Sequence, residues 1–490
     1  MEKANMENLL FQSTRSSITA GSRQAVLNGI APDGGLYVDP SVSRRSFDVE
    51  ACLKLPYLTM AEAVMSFLLP GLEDGISAGV SAYPEKFSSE LIVPLRQVGE
   101  SYVLELYHGP TSAFKDLALT VLPHLVGAAK RAEKIEEKIC ILTATSGDTG
   151  KAALEGFHDV PGTEITVFFP HNGVSEMQKL QMLTQEGSNV RVCAVKGNFD
   201  DCQQGVKRAF AKYNEAPSAG RIFSSANSIN IGRLVPQVAY YFSAYSQLMG
   251  MGKITFGEKV DFIVPTGNFG DILAGYIAKL MGLPVGKLVC AANSNNVLHD
   301  FISTGIYDKR RSFLKTVSPS MDILVSSNLE RLLFYASGGD TEFVSKCMAD
   351  LSCSGIYNVP GSIMEAIRSD FSSGYATEEE CSSAIAGLWK EYSYLADTHT
   401  AVGWSVLEKY RQNTSNPCVV LSTASPFKFP SAVLSSIGGN TVPDEFETAQ
   451  LLSELTGCPI PKNLAGLKEK EILHNDVISV EELVDYALDY

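Results

Sequence analysis

No apolar run in this sequence approaches the length of a membrane span. The most hydrophobic stretch, Ile272 to Val289, is interrupted by Lys279, Pro284 and Lys287, which excludes a bilayer-crossing helix there. Positive charge is also short: Lys+Arg 40 against Asp+Glu 55 leaves a formal net charge of −15 at pH 7, the wrong sign for a chain whose main partner is a phosphate backbone. Nucleic acid and membrane are therefore excluded as main partners. The 10 cysteines are scattered with no C-x-x-C, and the 7 histidines include no H-E-x-x-H. These absences argue against a disulfide framework, a zinc cluster and a resident transition metal. The segment Met1-Glu2-Lys3-Ala4-Asn5-Met6-Glu7 lacks the net positive charge of a signal peptide, so the expected location is cytoplasmic. Internal repeats and low-complexity segments are missing, and 45% hydrophobic against 19% charged residues excludes large unfolded regions.

At roughly 150 residues per domain, 490 residues make about three units. Residues 1–95 read as a small α+β unit, with the turn Pro32-Asp33-Gly34-Gly35 entering the strand-like Leu36-Tyr37-Val38 and helical periodicity from Ala61 to Leu69. Residues 96–430 alternate between strand and helix. Strands are expected at Tyr102–Leu106, Lys138–Leu142, Ile165–Phe169, Val190–Val195, Val260–Val264, Leu288–Ala292 and Cys418–Leu421, with helices between them, the first over Lys115–Glu133. That order marks an α/β fold with a mostly parallel sheet covered on both faces, whose ligands sit at the carboxyl ends of the strands. Residues 431–490 read as an acidic helical tail.

Four loops following strands carry the candidate chemistry. In His108-Gly109-Pro110-Thr111-Ser112-Ala113-Phe114-Lys115-Asp116 a tight turn delivers a lysine beside an aromatic ring at a helix start, where desolvation and the helix dipole both lower its pKa. Thr145-Ser146-Gly147-Asp148-Thr149-Gly150-Lys151 offers free N–H groups to a carboxylate or phosphate. It misses a P-loop because Thr145 and Ala152 stand where glycine and Ser/Thr are needed. Pro265-Thr266-Gly267-Asn268-Phe269-Gly270-Asp271 suits a cofactor phosphate, and Ser422-Thr423-Ala424-Ser425-Pro426-Phe427-Lys428 gathers hydroxyls and a lysine without a carboxylate.

These strings, in this order, resemble the threonine synthase family, in its long form with an added N-terminal domain, among the fold-type II pyridoxal-phosphate enzymes. Ser13-Thr14-Arg15, Ala31-Pro32-Asp33-Gly34-Gly35-Leu36-Tyr37 and Asn227-Ser228-Ile229-Asn230 with Arg233 extend the resemblance from about residue 10 to about residue 435. The resemblance implies two three-layer parallel-sheet lobes, the smaller at about 135–230, and pyridoxal 5'-phosphate as cofactor. Lys115 resembles the catalytic lysine that bonds covalently to it. Gly267, Asn268, Phe269, Gly270 and Asp271 look like the loop holding its phosphate, Thr423 like the partner of its ring nitrogen, and Asp148 like the residue near its 3′-oxygen. Ser146, Gly147 and Thr149 correspond to the grip on the substrate carboxylate, while Ser228, Asn230, Arg233 and Lys428 are the candidates for the substrate phosphate. Ser13-Thr14-Arg15 is expected to be structural.

The implied reaction converts O-phosphohomoserine and water to threonine and phosphate, in a monomer or homodimer. Two alternatives stand beside it. One is a phospho-lyase or hydroxy-amino-acid dehydratase on the same scaffold, releasing a 2-oxo acid. The other is a nucleotide-binding protein using residues 145–151 as a degenerate P-loop.

Overall fold

The computed structural model describes residues 9–145, 147–215 and 220–489, without the side chains of Asp200 and Asn214. The alternation after residue 95 folds into two separate parallel sheets. The larger runs in the order Phe371–Tyr375, Val285–Ala292, Val260–Pro265, Cys418–Ser422, Ser101–Glu105, Leu95–Val98, parallel throughout except for the final hairpin. The smaller runs Asp476–Ile478, Val190–Val195, Thr163–Pro170, Lys138–Ala144, Arg221–Ser224 and is parallel throughout.

Each sheet is the middle of three layers, which explains why its strands read as mainly apolar runs rather than alternating ones. Phe262 and Val264 enter one core and Ile263 the other; Ile139 and Ile141 likewise face away from Cys140 and Leu142. Fully burying each such side chain is worth about 1.5–3 kcal/mol. Among the described residues no helix is long and apolar enough to cross a membrane.

The helix expected over Lys115–Glu133 is two, Lys115–Leu119 and Leu122–Ala132. Pro123 has no N–H to give the Leu119 carbonyl, so the ladder breaks and restarts with proline in its first turn. The freed carbonyl faces Gly156, where a Cβ would lie 2.2 Å from it. The N-terminal unit carries a three-stranded antiparallel sheet, Thr19–Gly21, Leu10–Ser13, Tyr37–Val38. Its Ser13-Thr14-Arg15 is a clamp: Thr14 donates to Glu330, and Arg15 meets both oxygens of Glu330 at 2.8 Å.

The tail is not purely helical. Its Asp476–Ile478 strand extends the small sheet, paired in parallel with Val190–Val195. Three residues are too few to show a period in sequence, and the unpaired edge of Val190–Val195 supplied the signal instead. The following Leu483–Leu488 helix packs on the Phe199–Glu215 helix, where Leu483 occupies the space a Cβ at Gly205 would need, with Leu483 Cδ1 2.5 Å away. Alanine favours a helix over glycine by about 1 kcal/mol, whereas overpacking costs about 1–3 kcal/mol. Gly205→Ala is therefore expected to loosen the terminal helix, so limited proteolysis should release it faster than in the wild type; an unchanged cleavage rate would contradict this packing.

Candidate active site

The His108–Asp116 loop leaves the Ser101–Glu105 strand beside the chain leaving Cys418–Ser422, and backbone bonds stitch the two together. Leu106 N–H donates to Ser422 O (2.9 Å), Phe114 N–H to Thr423 O (2.8 Å) and Ser425 N–H to Ser112 O (3.0 Å). Asp116 closes the turn from inside, accepting from Thr111 Oγ1 (2.5 Å) and Thr111 N–H (2.8 Å). Gly109 is required by that approach, since its Cβ would lie 2.5 Å from Asp116 Oδ2. The loop delivers Lys115 into the interface between the lobes, its Nζ 4.7 Å from the Phe114 ring centre and 3.9 Å from Asp148 Oδ2. Burial pushes the Lys115 amine down to about 8; Asp148 opposes this, while the nearby charges of Lys428 and Arg233 add to it.

Asp148 opens the Asp148–Phe157 helix of the smaller lobe. The loop entering it is closed by Thr145, whose hydroxyl accepts from Gly147 N–H (2.9 Å) and Gly150 N–H (2.8 Å). Gly147 has φ +139, and a Cβ there would lie 2.4 Å from Gln178 Nε2, so only glycine serves. Ser146 lies outside the described residues, and Thr149 sits half-buried in the first helical turn. The Asp148 carboxylate is thereby free to face the other lobe. It takes Lys428 at 2.6 Å, Gln178 Nε2 at 2.9 Å and Ser320 Oγ at 3.2 Å. Burial alone would raise its pKa, but Lys428 and Lys115 together with these bonds hold it well below the ordinary carboxylate range.

Lys428 therefore differs from expectation. Its side chain is fully buried and gives its protons to Asp148 and to Thr111 O at 3.0 Å, because a buried ammonium must find its counterion inside. It sets the charge around Lys115 rather than reaching for a phosphate. Lys151, the residue a P-loop would place on a nucleotide, pairs with Glu155 (3.2 Å) and Gln185, and two N–H groups of that loop are already spent on Thr145. The P-loop alternative loses its basis.

The glycine-rich loop faces the same interface. Gly267 O accepts from Ser326 Oγ (2.8 Å), and Asn268 O accepts from Asn328 N–H (3.1 Å) and Nδ2 (3.0 Å). In a planar trans peptide the N–H points opposite to the C=O, so anchoring these carbonyls outward turns the N–H groups of Asn268 and Phe269 inward. Phe269 stands in the left-handed region (φ +62) at the N-cap of the Gly270–Leu280 helix, which adds further free N–H groups to the same concavity. Asp271 turns one oxygen to Tyr240 OH (2.5 Å) and Tyr241 OH (2.9 Å). Burial raises its pKa to about 6, and its Oδ2 is buried without a partner. Thr423, at the end of the Cys418–Ser422 strand, is buried beside the Lys115 loop through its bond to Phe114.

The 227–233 segment divides. Ser228 is half-buried and accepts from Asn328 Nδ2 at 3.2 Å, and its Cβ lies 3.6 Å from where a Cβ on Gly270 would stand, so it borders the glycine-rich loop. Arg233 is buried and donates to Ala226 O, while its Nε is buried with no partner; a surface ion pair is ruled out. Asn230 is a correction. Its Oδ1 caps Gly232 N–H (2.9 Å) and its Nδ2 donates to Val26 O (3.0 Å) and Ser225 O (3.1 Å). Fully buried with its amide committed, it ties the N-terminal unit to the core and offers nothing to a substrate phosphate.

These residues suit a phosphorylated aldehyde cofactor. An amine with its pKa lowered to about 8 stands at the same interface as a cradle of free N–H groups, and Arg233 Nε, Asp271 Oδ2 and Asn227 Oδ1 are buried without partners. Comparison with known proteins agrees. Residues 92–424 match the family described as pyridoxal-phosphate dependent enzyme, residues 10–74 threonine synthase N terminus, and residues 400–484 threonine synthase, C-terminal. Threonine synthase from Pseudomonas aeruginosa is 39% identical, covering 97% of each chain. The chain belongs to the threonine synthase family.

A structure titled as PLP-bound threonine synthase from Brucella melitensis superposes with a TM-score of 0.84 at 36% identity, covering 98% of each chain. Threonine synthase-like 1 from Pongo abelii is 38% identical over 84% of this chain, which spans 58% of that protein's length. As a member of this family the protein is a pyridoxal-phosphate-dependent enzyme, and the tail strand, Lys428 and Asn463 all lie within the C-terminal match.

Several residues of this threonine synthase-family site carry no signal in the loops themselves. Gln178 could have been found, since Ser175-x-x-Gln178 is a capping box. Asp397 and His399 are buried in the first turn of the Thr398–Tyr410 helix; Asp397 holds His399 Nδ1 at 2.8 Å. His399 Nε2 then accepts from Ser320 N–H at 3.2 Å, and the Ser320 hydroxyl reaches Asp148. Arg331, fully buried, donates to Tyr37 O (3.0 Å) and Ile229 O (2.6 Å) and holds Asn328, which carries the Asn268 carbonyl. Neither chain of contacts is visible from spacing, because each joins segments far apart in sequence.

Proposed function

We propose that this enzyme converts O-phospho-L-homoserine and water to L-threonine and phosphate. The observation that carries the reading is the charge of the interlobe site. Lys115, Lys428 and Arg233 gather there with Asp148, held well below the ordinary carboxylate range, and with Asp116 and Asp271, which burial raises to about 6, although the chain as a whole has an excess of acid. That concentration of cations, with two of the three carboxylates easily neutralised, suits a phosphorylated cofactor and a phosphorylated substrate together.

The cofactor, when bound, supplies an electron sink that acidifies the substrate α-hydrogen. Asn268, Phe269 and Gly270 would hold its phosphate, Thr423 its ring nitrogen and Lys115 its aldehyde carbon. With its pKa near 8, Lys115 is the base that moves a proton at Cα and then at Cβ. Arg233, through its unpartnered Nε, and Ser228 bind the leaving phosphate. Thr149, in the first turn of a helix, orients the substrate carboxylate, while the Gly147 N–H, given to Thr145, shapes the turn. Asp148 holds the charge of Lys428 and stands beside Lys115, where it limits how far the amine's pKa falls.

Incubation of purified, cofactor-loaded protein with O-phosphohomoserine is expected to yield threonine and inorganic phosphate in equal amounts. Release of a 2-oxo acid with no threonine would instead establish the phospho-lyase reading.

A further inference from the structure

The stretch between the Glu445–Thr456 helix and the Asp476–Ile478 strand crosses from one lobe to the other. Leu464 and Leu467 are buried in the same core as Val420 and Ile263 of the large sheet. Farther along, Leu473 N–H donates to Leu183 O of the smaller lobe (2.8 Å). Immediately before the first anchor, Asn463 is spent on the lysine loop. Its Nδ2 donates to Pro110 O at 2.8 Å and lies 2.9 Å from Ser112 Oγ, whose hydroxyl donates to Asn463 Oδ1 at 3.0 Å.

Ser112 is where this loop is strained. Its φ is +59, a left-handed conformation that costs any residue with a Cβ, and it sits three residues before Lys115. A two-point clamp on Ser112 and Pro110 opposes relaxation of the loop to ordinary φ, which would withdraw Lys115 from the interface. We infer that Asn463 is a positioning residue for Lys115, holding Ser112 left-handed from the C-terminal stretch. The inference rests on the reading of Lys115 as the lysine that bonds the cofactor.

The test is a rescue. Apoenzyme is mixed with pyridoxal phosphate, and covalent attachment is followed as visible absorbance and as label fixed by borohydride, alongside kcat, KM and Tm. Wild type and Lys115→Ala come first: if wild type forms no fixable adduct, the reading of Lys115 fails, whatever Asn463 does. Asn463→Ala is then expected to slow attachment and kcat by about 5–30-fold, the factor a left-handed penalty implies, with KM and Tm near wild type. Ser112→Gly adopts positive φ freely, so adding it to Asn463→Ala should restore most of both rates. Rates within twofold of wild type for Asn463→Ala, or no recovery with Ser112→Gly, would overturn the inference. If Asn463→Ala gives no folded protein, Asn463→Asp keeps the size and the acceptor but loses the donor to Pro110; an undiminished attachment rate in that variant would equally overturn it.

Discussion

Lys115→Ala apoenzyme is expected to take up no pyridoxal phosphate that borohydride can fix, and its threonine formation should fall by roughly 10²–10⁴-fold from the lost proton transfer alone, with the missing covalent step adding to that. Wild-type attachment has a pH signature. The Lys115 amine is pushed down to about 8 by burial, so the rate of attachment should climb with pH up to about 8 and level off above it. Stability moves the other way. A lysine whose folded pKa lies below its ordinary 10.5 disfavours the fold while protonated, and that penalty is full below about pH 8 and fades as pH rises towards 10.5. Lys115→Ala apoenzyme should therefore melt at or above the wild-type temperature at pH 7. A mutant that keeps a fixable chromophore, or that unfolds, would show that Lys115 is not the residue described.

Lys428→Met should produce the largest loss of stability. Both members of the pair are buried, with side-chain exposures of 0% for Lys428 and 3% for Asp148. Removing one partner strands the other in a medium that cannot solvate it, at a cost of about 3–5 kcal/mol. The sign follows from Asp148, whose pKa lies below its ordinary 3.8. Its contribution is present above pH 3.8 and is lost only as pH falls below that value, so the deficit of the variant should be evident in denaturant melts at neutral pH. The same substitution acts on Lys115. Without the repulsion from Lys428, and with Asp148 still beside it, the amine pKa rises. The attachment profile of Lys428→Met should shift to higher pH than in the wild type. A melt and a profile both matching wild type would refute the pairing.

The readable parts of this chain are those determined by neighbours in sequence. Mainly apolar runs such as Val260–Pro265 and Thr163–Pro170 announce strands covered on two faces, and Gly109, Gly147 and Gly267 mark turns where a Cβ has no room. Lys115 is legible because its loop, its aromatic neighbour and its helix start are contiguous. Short elements escaped: Asp476–Ile478 became a strand only because an edge of the small sheet was waiting for it, and one helix became two at Pro123.

What sequence alone determined is the inventory: an α/β chain, four loops at strand ends and a lysine of lowered pKa, with two lobes and a bond from that lysine to the cofactor implied by the resemblance. Tertiary structure decided the assignments. Asn230 and Lys428 stood as candidates of the same kind, yet Asn230 is spent on Val26, 204 residues away, and Lys428 on Asp148. Asp397, His399, Ser320, Arg331 and Asn463 entered the site from segments with no local sign of chemistry. A buried polar group must be satisfied by whatever the fold brings within about 3 Å of it, and spacing along the chain carries no information about which loops converge. The residue types were therefore set by sequence, and their roles by burial and by the long-range contacts that burial demands.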